Sequence, residues 1–353
     1  MSGGITQLVA IGAQDAHLVG NPEVSMFQSV YKRHTNFAQL CDRQIIQGAQ
    51  SAGGMSTVRL ERKGDLISHV YFTAVEGATS NTLDSSEWIN AIEKVELLIG
   101  GQVIDEQTSV FSERLAVDLL AQNLTKSALG SHHVGGGGGA GSESYFYPLR
   151  FSFFENSPSS IPMVALQYHD VELRITWGTS IAPNTIECFA NFVYLDTTER
   201  EMIASKPRDM LITQVQRAPG SGAKTLDLNF NHPVKFIAMS NVTASSGFFE
   251  NTNKAKLQVN GTDLADYKFV VPHFTQAASY YSAPFSVGNT DDYMLYSWCM
   301  DTSKLQPSGS LNFSRIDNAR LISQTGNIDD DVYAVNYNVL HIENGLGGLL
   351  YAN

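Results

Sequence analysis

Hydrophobic and polar positions alternate with period two along most of the chain. Val95, Leu97 and Ile99 interleave with Glu96 and Leu98, Gly100-Gly101 follows, and Val103 and Asp105 resume the pattern. This reads as a strand, a two-residue turn and a returning strand, with the glycines supplying the positive φ angles of a tight hairpin. The same pattern recurs at Lys254–Leu264, where Leu257 and Val259 alternate with Lys256 and Gln258 before Asn260-Gly261. Further strands are predicted at Val70–Val75, Val171–Trp177, Phe189–Leu195, Leu226–Phe230, Val234–Met239 and Val332–Ile342. Two stretches follow a helical period. Phe111, Leu115 and Leu119 share one face of Thr108–Asn123. Asp196 and Glu199 have N-cap and N3 spacing ahead of Met202 and Ile203, and Pro207 ends the run.

The hairpins align residue for residue, KVELLIGGQ at Lys94–Gln102 with KAKLQVNGT at Lys254–Thr262. A second pair follows in the same order. Pro162, Leu166, Gln167, Tyr168, Val171 and Glu172 match Pro307, Leu311, Asn312, Phe313, Ile316 and Asp317. The pattern predicts an internal duplication with a longer loop in the first copy. Gly135, Gly136, Gly137, Gly138 and Gly139 mark that loop, since five glycines in a row cannot pack into a sheet. Many short strands and few helices favour a sandwich or barrel. The expected fold is all-β: two consecutive eight-stranded jelly-roll sandwiches with short helices in loops and connector. The expected segments are an arm at 1–24, a first jelly roll at 25–195, a connector with a short helix at 196–212 and a second jelly roll at 213–353.

Composition narrows the function. Ser, Thr and Asn total 78 residues against 58 charged ones, so walls that dry against neighbours are cheap to desolvate. The net charge of −12 argues against wrapping nucleic acid, which needs basic stripes. Cys41, Cys188 and Cys299 are odd in number and widely spaced, so no disulfide framework is expected and a reducing compartment is. Met1–Gly12 has no basic residue and no long apolar run, so no secretory signal is expected.

Catalytic motifs are not found. The sequence lacks a G-x-S-x-G elbow, a P-loop and H-E-x-x-H, and none of its nine histidines forms an H-x-H pair. His132-His133 reads as a solvated loop. Asp329-Asp330-Asp331 lacks the alternating spacing of a calcium loop and reads as a polar turn before the last strand. His169 and Asp170 are neighbours on a predicted strand, so their side chains point apart and a shared catalytic site is disfavoured. Lys32-Arg33-His34 is a short basic patch that could meet scaffold, minor components or anionic headgroups. No catalytic, cofactor-binding or metal residue is assigned, and no cofactor is expected.

Six blocks carry a resemblance that spans the chain in order. They are Gly12–Asp15 with Gly20–Pro22 and Tyr31–Ala38; Pro162–Ile175; Tyr194–Arg200; Phe230–Lys235; Gln306–Asn318; and Val332–Asn353. Together they resemble the major capsid proteins of nucleocytoplasmic large DNA viruses, of the phycodnavirus and iridovirus type. The matching positions include Gln14, Asp15, Asn21, Pro22, Arg33, His34, Asn36 and Phe37, then Gln167, Tyr168, His169 and Asp170. In the second half they are Asn231, His232, Pro233, Asn312, Phe313, Arg315, Asp317, Asn318, Asn336 and Tyr337. The resemblance implies structural roles for them. It implies a double jelly roll that trimerises into a pseudo-hexagonal capsomer and tiles an icosahedral shell. Its partners are then further copies, minor capsid proteins and an inner membrane, with no direct nucleic-acid binding and synthesis in host cytoplasm. Competing readings are a minor jelly-roll component of the same shell and a carbohydrate-binding attachment protein. Candidate interface aromatics are Tyr145–Tyr147, Phe151–Phe154, Phe248-Phe249 and Tyr280-Tyr281.

Overall fold

The computed structural model describes residues 3–9, 12–76, 79–80, 83–130, 143–144, 146–181, 185–242, 247–285 and 293–352. The expected glycine loop at Gly135–Gly139, with His132-His133, lies outside them. The chain divides into two units, Met1–Asn36 and Phe37–Asn353. The first holds a short helix at Gly3–Val9, a turn at Ala13–Asp15 and a single helical turn at Ala16–Val19. Within it Asp15 accepts the backbone N–H of Gly12 at 2.6 Å, Asn21 takes a positive φ, and Lys32-Arg33-His34 is exposed.

The second unit holds the strands. Eight build the first sandwich: β1 (Phe37–Gln44), β2 (Met55–Arg59), β3 (Leu66–Glu76), β4 (Ile92–Ile99), β5 (Gln102–Thr108), β6 (Tyr147–Pro148), β7 (Val171–Trp177) and β8 (Thr185–Leu195). One sheet runs β1-β8-β3-β6; the other runs β2-β7-β4-β5, with the short strand Ile46–Gln47 beyond β2. Every pairing is antiparallel. Alternation in β7 is complete: Val171, Leu173, Ile175 and Trp177 are buried, while Glu172, Arg174 and Thr176 face outward. Trp177 Nε1 donates to Ser56 Oγ at 2.8 Å, so the bulkiest ring in the strand also satisfies its one polar atom.

Eight more build the second sandwich: β9 (Arg208–Ala218), β10 (Thr225–Asp227), β11 (Pro233–Ser240), β12 (Lys254–Val259), β13 (Thr262–Asp263), β14 (Tyr293–Ser297), β15 (Ala319–Ser323) and β16 (Val332–Glu343). The order is β9-β16-β11-β14 in one sheet and β10-β15-β12-β13 in the other. Strand for strand this repeats the first sandwich, and each is a jelly roll. A last strand, β17 (Leu346–Leu349), adds to β16. The helix Thr197–Ser205 lies between the two sets. Asp196 stands at its N-cap position with extended backbone, but its side chain makes no cap bond; its carbonyl accepts the N–H of Arg200 at 2.9 Å instead.

Both expected hairpins are present. Gly100 and Gly101 in one, Asn260 and Gly261 in the other, take positive φ. Gly100 is further constrained because a Cβ there would meet the imidazole of His169. The second expected repeat is out of step with the ladder. Val171 pairs with Ile99 and Ala319 with Val259, so the sheet equates Val171 with Ala319, three residues beyond the Ile316 of the sequence match.

Each sandwich carries a helix between its fifth and sixth strands. The first runs in wide turns from Phe111 to Ala116 and continues as Val117–Leu119. The second, Val270–Ala277 continued by Ala278–Ser282, was not expected from the sequence, where Pro272 masks it. A proline in the first turn costs the helix no hydrogen bond.

Candidate assembly interface

One asymmetric seam joins the two sandwiches, apart from the contact that Ile212, Leu340 and Ile342 of the second make with the first sandwich's core. Phe111, Leu115 and Leu119 of the first helix pack on the outer face of the β9-β16-β11-β14 sheet, against Phe236, Tyr293, Leu295, Tyr333 and Val335. Phe111 and Tyr333 rings lie 5.4 Å apart, and the hydroxyls of Thr108 and Tyr333 are 2.8 Å apart. This explains a departure from alternation. In β11 every residue from Val234 to Ser240 is buried, because the sandwich core covers one face and the helix covers the other.

Polar groups lock the same seam. Asp105 on β5 accepts the N–H of Val215 on β9 at 2.8 Å and an N–H of Gln107 at 3.0 Å. Burial pushes its carboxyl up to about 7, against those two hydrogen bonds. Burial likewise raises Glu113, beside Arg150 and Arg114, to about 7. In the second sandwich Lys235 is buried, donates to the carbonyls of Thr302 (2.7 Å) and Lys304 (2.6 Å), and is lowered by burial to about 8.

Several residues singled out by resemblance hold loops and turns in place, and Tyr168 and His169 do so between the sandwiches. Tyr168 donates its N–H to Gly345 O at 3.0 Å, and His169 Nδ1 lies 2.9 Å from Gly347 O, so this loop of the first sandwich clasps the end of the second. Gln167 O accepts from Arg62 at 2.6 Å. Asp170 pairs with Arg59 at 2.7 Å, away from the imidazole of His169. Asn231 exchanges two hydrogen bonds with Gln216, at 2.8 and 2.9 Å. His232 takes a positive φ ahead of Pro233, and its carbonyl accepts the N–H of Phe313 at 3.0 Å. Phe313 packs on Phe230 and Trp298. Asn312 caps the turn that contains Arg315. Asp317 and Asn318 both donate N–H to Asn260 Oδ1, at 3.0 and 3.1 Å, which pins the hairpin turn. Asn336 is fully buried between Gln216 and Gln214, beside Tyr337.

The acidic triplet also has a structural use. Asp331 pairs with Arg217 at 2.6 Å and accepts the N–H of Gly220 at 3.1 Å. Among the described residues no group of three or more His, Cys, Asp or Glu could hold a metal ion, and no helix is long and apolar enough to cross a membrane.

Of the candidate aromatics, Tyr147, Phe151, Phe153, Phe154 and Phe248 are core residues. Tyr280 and Tyr281 are 82% and 79% exposed, and Met300 is exposed as well. Tyr145 lies outside the described residues. Phe146 is half-buried on the outer face of the first sandwich, packed edge-on against Tyr71 at 6.0 Å. There Tyr71 stacks on Phe189 at 5.5 Å. Beside them runs a groove of about 220 Å³, lined by His69, Tyr71, Lys126, Phe146, Pro148 and Glu155.

Comparison with known proteins adds a second line. A family profile for the major capsid protein N-terminus matches residues 25–196, and one for the large eukaryotic DNA virus major capsid protein matches residues 199–348. The chain is similar to the major capsid protein of Pyramimonas orientalis virus, at 32% identity with both chains covered in full. It is similar to that of Paramecium bursaria Chlorella virus 1 at 30% identity, again over both full chains. It is also similar to the crystal structure of PBCV-1 VP54 fitted into a reconstruction of the virophage Sputnik. There the TM-score is 0.78 and identity 27%, covering 93% of this chain and 100% of that one.

Proposed function

The chain belongs to the family of large eukaryotic DNA virus major capsid proteins, a structural component of the virion, and on that premise we propose that three copies close into one capsomer. Two sandwiches of the same strand order, taken three times, give six barrels in a ring, a near-hexagonal block that tiles a flat facet. The observation that carries this reading is the repeated order β1-β8-β3-β6 and β9-β16-β11-β14 within one chain.

The role is structural rather than catalytic. The side chains of His169 and Asp170 bond to different partners, Gly347 O and the arginines Arg59 and Arg62, and several residues marked by resemblance tie strands and loops together. The capsomer's partners are its own copies, then minor capsid proteins and an inner membrane on the inner side. With a net charge of −12 the chain does not bind the genome directly. Its three thiols, none of them in a disulfide, fit synthesis and assembly in host cytoplasm.

Light scattering on the purified chain tests the reading. A stable particle of three times 38.6 kDa is expected, and a monomer at micromolar concentration overturns it. Tight, salt-sensitive DNA binding would overturn the statement about the genome.

A further inference from the structure

The seam inside the chain is heterologous: a helix of one sandwich covers a sheet face of the other. Such a contact uses two different surfaces, so each chain keeps one unused copy of each. The unused helix is Val270–Ala277 with Ala278–Ser282. The unused sheet face is the outer side of β1-β8-β3-β6.

Strand register identifies the equivalent positions on the two faces. Phe189 pairs with Arg43 and Tyr71, as Tyr333 pairs with Arg217 and Ala238. Pro148 stands opposite Tyr71 as Leu295 stands opposite Ala238. An ion pair marks the same corner of each face, Arg43–Glu187 at 2.9 Å and Arg217–Asp331 at 2.6 Å. In the second sandwich Tyr333, Ala238, Leu295 and Tyr293 are buried under the helix. In the first, Phe189, Tyr71, Pro148 and Phe146 are half-buried and His69 and Cys41 exposed. On the unused helix, Tyr280 and Tyr281 stand edge-to-face at 5.0 Å and project outward. Met300 extends that apolar shoulder, on a loop held by the Thr302 N–H to Ser282 O bond at 2.9 Å.

We propose that the Tyr280–Tyr281–Met300 shoulder of one copy docks on the outer β1-β8-β3-β6 face of a second copy, against Tyr71, Phe146 and Phe189. The junction between copies then repeats the junction within each chain. This rests on the capsomer reading above and adds which surfaces make it.

A mixing experiment tests the pairing. Tyr280→Asp with Tyr281→Asp spoils the shoulder, and Phe189→Glu spoils the face. If Phe189→Glu does not fold by circular dichroism, Cys41→Arg on the exposed part of the same face replaces it. Each folded variant alone is expected to sediment as a monomer. A 1:1 mixture retains one good shoulder and one good face on different chains, so it forms a dimer and stops there. A wild-type chain that is itself monomeric overturns the trimer reading and this docking with it. A wild-type trimer that survives both variants, or variants that stay monomeric when mixed, overturns the docking alone.

Discussion

Asp105 on the first sandwich accepts the backbone N–H of Val215 on the second at 2.8 Å, so a buried carboxyl spans the seam between two domains. Its neighbours are Gln107, the carboxylate of Glu106, and Arg217 and Tyr333 at the rim of the same cleft.

This carboxyl predicts a pH dependence. Its ordinary value of 3.8 is raised to about 7 by burial. Between roughly pH 4 and 7 the folded chain holds a proton that the unfolded chain has released. Stability from this group is therefore full below that window and falls as pH rises through it, by up to about 1.4 kcal/mol per pH unit. Glu113 acts in the same sense. Asp105→Asn keeps an acceptor for Val215 and removes the titration. Its melting temperature should vary less between pH 5 and 8 than that of the wild type. An unchanged slope would remove Asp105 from the account.

The seam also depends on one ring. Phe111 is fully buried against Tyr333 and has no role inside either sandwich core. Phe111→Ala should cost about 3–5 kcal/mol, the usual range for a large buried aromatic. Because the loss falls between sandwiches, urea unfolding should separate into two steps. Trp177→Ala, inside the first sandwich, should lower the midpoint of the first sandwich instead. A single transition in Phe111→Ala, unshifted from wild type, would contradict this.

Asn253 is a different kind of keystone. It is fully buried; Oδ1 accepts from the Ser323 hydroxyl at 3.1 Å and from Thr325 N and Oγ1 at 3.1 and 2.9 Å. Its Nδ2 donates to Phe248 O at 2.8 Å. Asn253→Ala strands these groups without water, at about 1–3 kcal/mol for each one left unpaired. Asn253→Asp keeps the acceptor but buries a charge, so it should not rescue. Chemical denaturation of the two variants checks both statements.

Much of this fold is legible before any coordinates, and the reasons for the gaps are physical. Gly100-Gly101 and Asn260-Gly261 announce hairpins because few residues tolerate positive φ. The alternation of β7 announces one buried face. The two-residue strand β6 is too short to show a period. The offset between Ile316 and Ala319 arises because the matched stretch lies partly in the turn before β15, where side chains obey loop constraints rather than the ladder. The seam had a readable signal that alternation rules overlook. Phe236-Ile237-Ala238-Met239 is apolar without interruption, which in a strand means cover on both faces, while the equivalent stretch of β3, His69–Phe72, opens with an exposed histidine. Core and interface aromatics could not be separated, since Phe154 and Tyr280 differ only in what the fold brings over them.

The cysteines report on that open face without any substitution. Cys188 points into the first core and Cys299 lies in the seam; burial raises both thiols above their ordinary range. Cys41 is exposed on β1, with its sulfur 3.5 Å from the hydroxyl of Tyr71. An accessible thiolate attacks a disulfide reagent and expels its thiolate, so one thiol of the folded, dissociated chain should react quickly and two only on unfolding. Once copies assemble through this face, Cys41 should slow by on the order of tenfold or more, because the reagent must wait for the neighbour to leave. Salt or dilution that dissociates the particle should restore the rate in step with the loss of mass. A Cys41 that reacts equally fast in trimer and monomer would mean that the sheet face stays open in the assembly, and the contact between copies would have to be sought elsewhere on the barrels.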